Sequence, residues 1–240
     1  VVNLVADVFD EEWWFREAED GLPDDAVSTA PIGGEDAMRR ARENLESSLA
    51  RARPDVVLFP ISIYYIALHA REMLKRLREL AAGAVLVACG VYSTMHPQEI
   101  MDDGAADFVV RGEGEWTSLE LLCALEDSGV NADFSHIRGL TWRDGDGRVV
   151  HNPEREREKD LDVFPHIYTV SDEFAIDVRH RILKSLNPLD DYIPGSGFLT
   201  SRGCPEECTF CLDPAVWKRK TRFHSPGYVR EVLPSCWERF

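Results

Sequence analysis

Several kinds of segment are scarce or missing in this sequence of 240 residues. No run approaches the ~20 apolar residues of a membrane-spanning helix, and no signal-peptide pattern is visible. Only 27 residues are Lys or Arg, against 43 Asp or Glu, so the formal net charge is −16. Because nucleic-acid binding needs clustered cations, we expect no nucleic-acid partner. The missing apolar runs and signal-peptide pattern predict a cytoplasmic, globular protein with no membrane partner.

Cysteine is also scarce, with six residues in the chain, yet three of them lie within eight positions as Cys204-Pro-Glu-Glu-Cys208-Thr-Phe-Cys211. Such clustering indicates a metal site rather than a disulfide framework. A structural zinc site with four cysteines normally has two C-x2-C pairs, and only one is present. Because soft thiolates bind iron–sulfur clusters, three cysteines predict a [4Fe-4S] cluster with one iron left open.

One alternative to this cluster remains. A structural zinc ion could use the three cysteines with His224, and the region would then be a metal-binding module without catalysis. We assign no role to Cys89 and Cys123, which we expect to be small buried apolar side chains, or to Cys236. Strings typical of other catalytic sites, such as G-x-S-x-G, a Walker loop or H-E-x-x-H, do not occur.

Short apolar runs alternate with amphipathic segments upstream of the cysteines, which predicts an α/β fold with a parallel sheet covered by helices. We expect strands over 55–63, 84–89 and 106–110, and helices over 35–51, 65–81, 96–101 and 116–127. The stretches 24–34, 90–94 and 111–115 are expected to be loops, and 137–149 a hairpin. Ligands of open α/β sheets bind at the carboxyl ends of the strands, where Gly90, Gly112 and Gly114 lie.

The segment Thr200-Ser-Arg-Gly-Cys204-Pro to Phe210-Cys211 resembles the signature of the radical S-adenosylmethionine enzymes. The resemblance implies that Cys204, Cys208 and Cys211 hold three irons and that S-adenosylmethionine chelates the fourth. Its reductive cleavage would give a 5′-deoxyadenosyl radical. Phe210 would lie near the adenine of S-adenosylmethionine.

The upstream loops resemble the cobalamin-binding domain that precedes the radical domain in one branch of that family. The similar segments are Gly90-Val-Tyr-Ser-Thr-Met-His-Pro-Gln-Glu99, Val110-Arg-Gly-Glu-Gly-Glu115 and Asp160-Leu-Asp-Val-Phe-Pro165. The resemblance implies cobalamin contacts from Ser62, Gly90, Val91, Tyr92, Gly112, Glu113 and Gly114. No D-x-H-x-x-G string occurs, Cys89 stands at an expected glycine, and Tyr92 stands where the family often has histidine. Tyr92 would then face the lower side of the corrin, although an aromatic at a strand end is at least as often a packing residue.

The resemblance further implies a domain order and an activity. We expect an N-terminal Rossmann-like (flavodoxin-like) sheet over 1–150, a linker over 151–197 and the start of a (β/α) radical barrel over 198–240. The first strand would be missing, because Val1-Val-Asn-Leu-Val-Ala-Asp7-Val resembles the family's second strand. Most of the barrel would also be missing, because only 29 residues follow Cys211 and a complete barrel needs ~250.

The implied reaction is methylation of an unactivated carbon, with radical cyclisation or rearrangement as the alternative. Expected partners are a small-molecule substrate or natural-product intermediate and an electron donor such as flavodoxin or ferredoxin.

Overall fold

A computed structural model describes residue 49 and residues 53–61, 67–165, 199–212 and 216–238. Contacts divide the chain into two compact units. Among the described residues, the first unit comprises 49, 53–61, 67–157, 206–212 and 216–219, and the second comprises 158–165, 199–205 and 220–238. Several predictions fall outside the described residues: the loop over 24–34, most of the helix over 35–51, the contact Ser62 and most of the linker over 151–197.

The first unit contains a five-stranded sheet and four helices among its described residues. In chain order the elements are β1 (Val56–Pro60), α1 (Ala67–Leu80), β2 (Val85–Cys89), α2 (Gly90–Met95), α3 (Pro97–Asp102), β3 (Phe108–Val110), α4 (Gly114–Ser128), β4 (Leu140–Arg143) and β5 (Val149–His151). Within the described ranges, no helix is long and apolar enough to cross a membrane.

The sheet is mixed, with strand order β1-β2-β3-β4-β5. The first three strands are parallel, so their carboxyl ends meet at one edge, whereas β3–β4 and β4–β5 are antiparallel. The structure therefore confirms the predicted α/β class, the three parallel strands and the hairpin. Helical connections between parallel strands are the expected way to cover such a sheet.

Aromatic packing closes one side of the sheet. Phe134, from the connection between α4 and β4, meets Phe108 and Trp142 edge to face, with ring centroids 4.9 and 5.4 Å apart. All three belong to one buried cluster with Val87 and Leu121. Burial of these large side chains is the main favourable contribution to folding here.

One predicted loop is helical in the structure, and a second is shorter than predicted. The stretch 90–94 forms most of α2, because Gly90 adopts φ 93° and turns the chain directly into the helix. Gly114 and Glu115 belong to the first turn of α4 rather than to a loop. The prediction for Cys123 was also wrong: its side chain is exposed. Thr117 and Leu121 are the buried residues of α4, and Cys123 lies about 200° further around the helix than Leu121.

The second unit contains β6 (Ser201–Arg202), β7 (Arg222–Phe223) and α5 (Pro226–Glu238), together with a 3₁₀ turn at Leu161–Val163. Strands β6 and β7 are antiparallel. Helix α5 begins at the sequence Ser225-Pro226, which is typical of a helix N-terminus: the Tyr228 N–H donates to Ser225 Oγ (3.1 Å), and Pro226 is the first helical residue. Proline suits that position because its missing N–H would have no helical partner there.

Candidate functional site

The cysteine motif begins at a tight glycine turn after β6. Gly203 has φ 92°, and a Cβ at this position would stand 3.1 Å from the carbonyl carbon of Lys220 and closer still to its oxygen. Both features exclude a side chain, because positive φ is unfavourable for L-residues and the neighbour is backbone that cannot rotate away. The turn fixes the direction in which the chain enters Cys204.

The three thiols are free and accessible to different degrees. Cys208 is exposed, Cys204 and Cys211 are half-buried, and none is in a disulfide. The Cys211 N–H donates to the Cys208 carbonyl (3.0 Å), which closes the C-x2-C turn. Phe210 is 90% exposed, so its ring is available for stacking on a planar group.

Within the described ranges, no three His, Cys, Asp or Glu side chains are gathered into a ready-made metal site. The residues nevertheless suit a cluster in two ways. Three free thiols are the soft donors that iron–sulfur clusters require, and the glycine turn accommodates a close backbone approach just before the first of them. His224, the fourth ligand of the zinc alternative, has a buried side chain whose Nδ1 lies 3.1 Å from Asp162 Oδ1.

The loop between the first two cysteines is tied to the chain after the motif. Glu207 forms an ion pair with Arg219, and Lys218 forms one with Glu154. The Lys218 ammonium holds the pKa of the Glu154 carboxyl below its usual range. Lys218 and Arg219 both have positive φ, at 49° and 58°, so these charged contacts accompany an unusual backbone turn.

A second region lies at the carboxyl ends of β2 and β3. The Thr94 hydroxyl donates to the Gly90 carbonyl (2.8 Å) and accepts from the Gly112 N–H (2.9 Å). One side chain therefore joins the two predicted glycine turns. Gly112 has φ 77°, and no described atom lies within 4 Å of the position of a Cβ there, so the backbone is open to a ligand.

A cleft over this edge is lined by Thr94, Arg111, Gly112, Glu113, Glu154 and Lys218, among others. Arg111 is half-buried and donates through Nη2 to the carbonyls of Leu140 (3.2 Å) and Asn152. Its Nε is buried without a hydrogen-bond partner among the described residues, and burial lowers the pKa of its guanidinium. A buried donor without a partner is costly, and this Nε has almost no exposed surface through which a ligand in the cleft could reach it.

Tyr92 has a different environment from the other predicted cobalamin contacts. It is buried, its ring stacks on His96 with centroids 4.6 Å apart, and its hydroxyl donates to Glu99 Oε2 (2.9 Å). Glu99 also forms an ion pair with Arg71, which forms a second ion pair with Asp103. These contacts favour the packing interpretation of Tyr92.

The remaining predicted contacts have mixed placements. Gly90 and Val91 open α2 and are half-buried, and Gly114 opens α4, where a Cβ would meet Val110 Cγ1 at 3.3 Å. Glu113 lines the cleft. Sequence reasoning missed Thr94 and Arg111, although the position of Arg111 directly before the Gly112-Glu113-Gly114 turn could have indicated it.

Comparison with known proteins finds that the sequence is similar to those of several enzymes. The chain is 26% identical over 197 residues to the anaerobic magnesium-protoporphyrin IX monomethyl ester cyclase of Rubrivivax gelatinosus, with 80% of this chain and 33% of that protein covered. It is 27% identical over 263 residues to the cytidylyl-2-hydroxyethylphosphonate methyltransferase of Streptomyces wedmorensis, with 97% and 47% covered. The chain thus spans a third to a half of the length of these two relatives. No family model matches.

Solved structures of the same fold include the radical S-adenosylmethionine methyltransferase TsrM of Kitasatospora setae with cobalamin and a [4Fe-4S] cluster bound. It superposes with a TM-score of 0.56 at 19% identity, covering 83% of this chain and 39% of that one. The chain is related to the cobalamin-binding radical S-adenosylmethionine enzymes. OxsB, solved with aqua-cobalamin and S-adenosylmethionine bound, has a TM-score of 0.55 at 18% identity, covering 82% of this chain and 25% of that one. These structural neighbours bind all three of the cofactors that the sequence predicts.

Proposed function

We propose that this protein is a radical S-adenosylmethionine enzyme that methylates an unactivated carbon with the help of cobalamin. The observation that carries the proposal is the loop of three free thiols, which leaves β6 through a glycine turn that no other residue fits. When bound, the cluster would supply the electron that cleaves S-adenosylmethionine, and cobalamin would carry the methyl group.

The residues of the loop have distinct tasks in this proposal. Cys204, Cys208 and Cys211 hold three irons and leave the fourth to the cosubstrate. Phe210 packs against the adenine, for which its exposed ring is available. The Glu207–Arg219 ion pair restricts the spacer between the first two cysteines, which lowers the entropy cost of ordering the loop around a cluster.

The carboxyl edge of the parallel strands is the proposed cobalamin contact. Gly90 and Gly112 let the backbone approach a bulky ligand, and Thr94 holds the two turns at a fixed separation. Arg111 lines the cleft and places a positive charge at this edge. The Tyr92 hydroxyl donates to Glu99, which links α2 to α3 next to this edge. In this proposal Tyr92 is not a ligand to the cofactor.

The partners follow from this chemistry and are part of the proposal. Reductive cleavage requires an electron from outside the protein, for which a small carrier such as flavodoxin or ferredoxin is suited. The substrate would be a small molecule, such as a natural-product intermediate, with an unactivated carbon–hydrogen bond.

A second candidate is radical cyclisation. The observation that favours it is the cyclase relative, which aligns with 80% of this chain. Both reactions use the same cysteine loop, so product analysis with the full-length protein distinguishes them: a methylated product supports the first, and a product that is oxidised without gaining carbon supports the second.

The three-thiol loop can be tested by anaerobic reconstitution with iron and sulfide. We expect a brown protein with about four irons per chain that cleaves S-adenosylmethionine to 5′-deoxyadenosine when reduced. Cys208→Ala should lose most of the iron and the cleavage. Cys123→Ala is the matched control, because it removes an exposed thiol outside the motif and should change neither.

Two outcomes would refute parts of this proposal. A colourless protein that retains one zinc would identify a structural metal module instead. A full-length protein whose addition leaves the absorption spectrum of hydroxocobalamin unchanged would exclude cobalamin-dependent methylation while leaving the radical reaction open.

A further inference from the structure

A short segment before the radical domain is hydrogen-bonded to the junction between β7 and α5. Asp162, in the 3₁₀ turn, accepts from the Ser225 N–H (3.0 Å) and from His224 Nδ1 (3.1 Å), both through Oδ1. These bonds to the ionised form hold the pKa of the Asp162 carboxyl below its usual range. The carboxylate thus binds two consecutive residues that lie 62 and 63 positions further along the chain.

Additional contacts connect the same two segments. The His224 side chain is only 7% exposed and stacks on Tyr228, with ring centroids 4.3 Å apart and planes at 11°. The Tyr228 hydroxyl donates to the Phe164 carbonyl (2.7 Å), and Arg202 lies over the Phe164 ring at 4.9 Å. The segment 158–164 is therefore attached at several points to the strands and helix around it. We call it the brace segment.

The contacts continue from His224 to the start of the cysteine loop. The His224 N–H donates to the Thr200 carbonyl (2.9 Å), which extends the pairing of β6 with β7. At the other end of this pair, Gly203 packs against the Lys220 carbonyl, and Cys204 follows directly. All of these contacts lie within the second unit.

The strand pair is too short to hold this geometry alone. It consists of two residues on each side, and isolated two-stranded pairs are marginally stable at best in water. Among the described residues, some other group must therefore hold β7 in register with β6. The brace segment supplies it, because its carboxylate contacts the residues immediately after β7.

We propose that Asp162 and His224 are positioning residues for the cluster-binding loop, acting through β7 and β6 on Gly203 and Cys204. The inference rests on the proposed function, since it gives the brace segment a role in holding the cluster. Neither residue contacts the cofactor in this proposal, so their effect should be on retention and environment of the cluster.

The test uses the full-length protein carrying Asp162→Ala, Asp162→Asn or His224→Phe. Asparagine keeps an Oδ1 acceptor for the Ser225 N–H, and phenylalanine keeps the stack on Tyr228 while removing the nitrogen. Asp144→Ala is the matched control, because Asp144 Oδ1 also accepts from two backbone N–H groups, those of Asp146 and Arg148, in the hairpin of the first unit.

Two readouts do not depend on activity. The first is hydrogen–deuterium exchange of the apo protein at residues 200–204 and 222–225, which we expect to be about tenfold faster or more in Asp162→Ala, since hydrogen bonds to a charged group are lost. The second is the rate at which the reconstituted cluster loses iron to a chelator. The electron paramagnetic resonance spectrum of the reduced cluster is recorded on the same samples. We expect faster loss and a changed spectrum in Asp162→Ala, a smaller effect in Asp162→Asn and His224→Phe, and no effect in Asp144→Ala.

The outcomes separate this inference from the proposed function. A wild-type protein that takes up no cluster would overturn the proposed function, and the positioning role with it. A wild type that holds a cluster, with Asp162→Ala equal to it in exchange, iron loss and spectrum, would overturn the positioning role alone. If Asp162→Ala does not fold, Asp162→Asn and His224→Phe decide by the same criteria.

Discussion

Gly203 provides the sharpest test of the cysteine loop, because its substitution by alanine adds one methyl group at a point with no room. Positive φ alone costs an L-residue about 1–2 kcal/mol. The methyl group would also overlap the backbone of Lys220, so β7 must move away and lose pairing hydrogen bonds worth about 0.5–1.5 kcal/mol each. The total is about 2–4 kcal/mol. This cost exceeds the stabilisation that a pair of two-residue strands provides, so we expect the β6–β7 pairing to be lost.

The assay compares Gly203→Ala with Gly147→Ala, which has a similar φ of 79° but no described atom within 4 Å of the Cβ position. The control therefore carries the conformational cost without the overlap. After reconstitution we expect Gly203→Ala to bind at least tenfold less iron and sulfide per chain than Gly147→Ala. The reason is that the free-energy cost of the added methyl group falls on the cluster loop only in Gly203→Ala. If both variants retain the same amount of cluster, the turn does not determine the loop geometry and the reasoning is refuted.

Two further predictions concern the first unit. Asn152→Ala should lower the free energy of unfolding by about 2–4 kcal/mol in urea titrations, because a buried side chain with bonds to the Phe134 and Ile137 carbonyls and to Trp142 Nε1 is removed. Burial raises the pKa of the Cys89 thiol to about 11, so at pH 8 its alkylation should be about 200-fold slower than that of a thiol with the ordinary pKa of about 8.5. The rate should rise about tenfold per pH unit until pH 11, because only the thiolate reacts.

Each has a control within the chain. Asn131→Ala alters an exposed asparagine and should change stability by less than about 0.5 kcal/mol; an equal loss in both variants would contradict the role of Asn152. Cys123, exposed on α4, reports the reactivity of an accessible thiol in the same sample. Equal labelling of the two cysteines at pH 8 would show that Cys89 is not shielded.

The α/β class could be predicted because buried parallel strands have a distinctive composition. The runs around Val57 and Val87 are apolar over the whole strand, and the residues of α1 repeat at helical spacing. The start of α5 could also be predicted, since a serine followed by proline meets the local requirements of a helix N-terminus. These features depend only on residues near each other in the sequence.

The errors and omissions arose where a distant contact decides the structure. Nothing local indicates that Cys123 is on the exposed side of α4, because that depends on which face meets the sheet. The role of Thr94 requires the Gly112 N–H, 18 residues away. The requirement for glycine at position 203 comes from the Lys220 carbonyl, which no pattern around the cysteines reveals.

The antiparallel hairpin explains how the carboxyl end of β3 is held in place for a ligand. Arg111 follows β3 directly, and its N–H donates to the Gly139 carbonyl (2.8 Å) while its guanidinium donates to carbonyls of Leu140 and Asn152. Asn152 is itself fixed by Trp142 and the loop before β4. The hairpin therefore holds the backbone of Arg111 and part of its guanidinium, and leaves Nε as the buried donor without a described partner. Arg111→Met removes both the positive charge and the guanidinium bonds to the Leu140 and Asn152 carbonyls, whereas Arg111→Lys keeps a cation, so ligand binding at this edge should be weakened more by Arg111→Met than by Arg111→Lys.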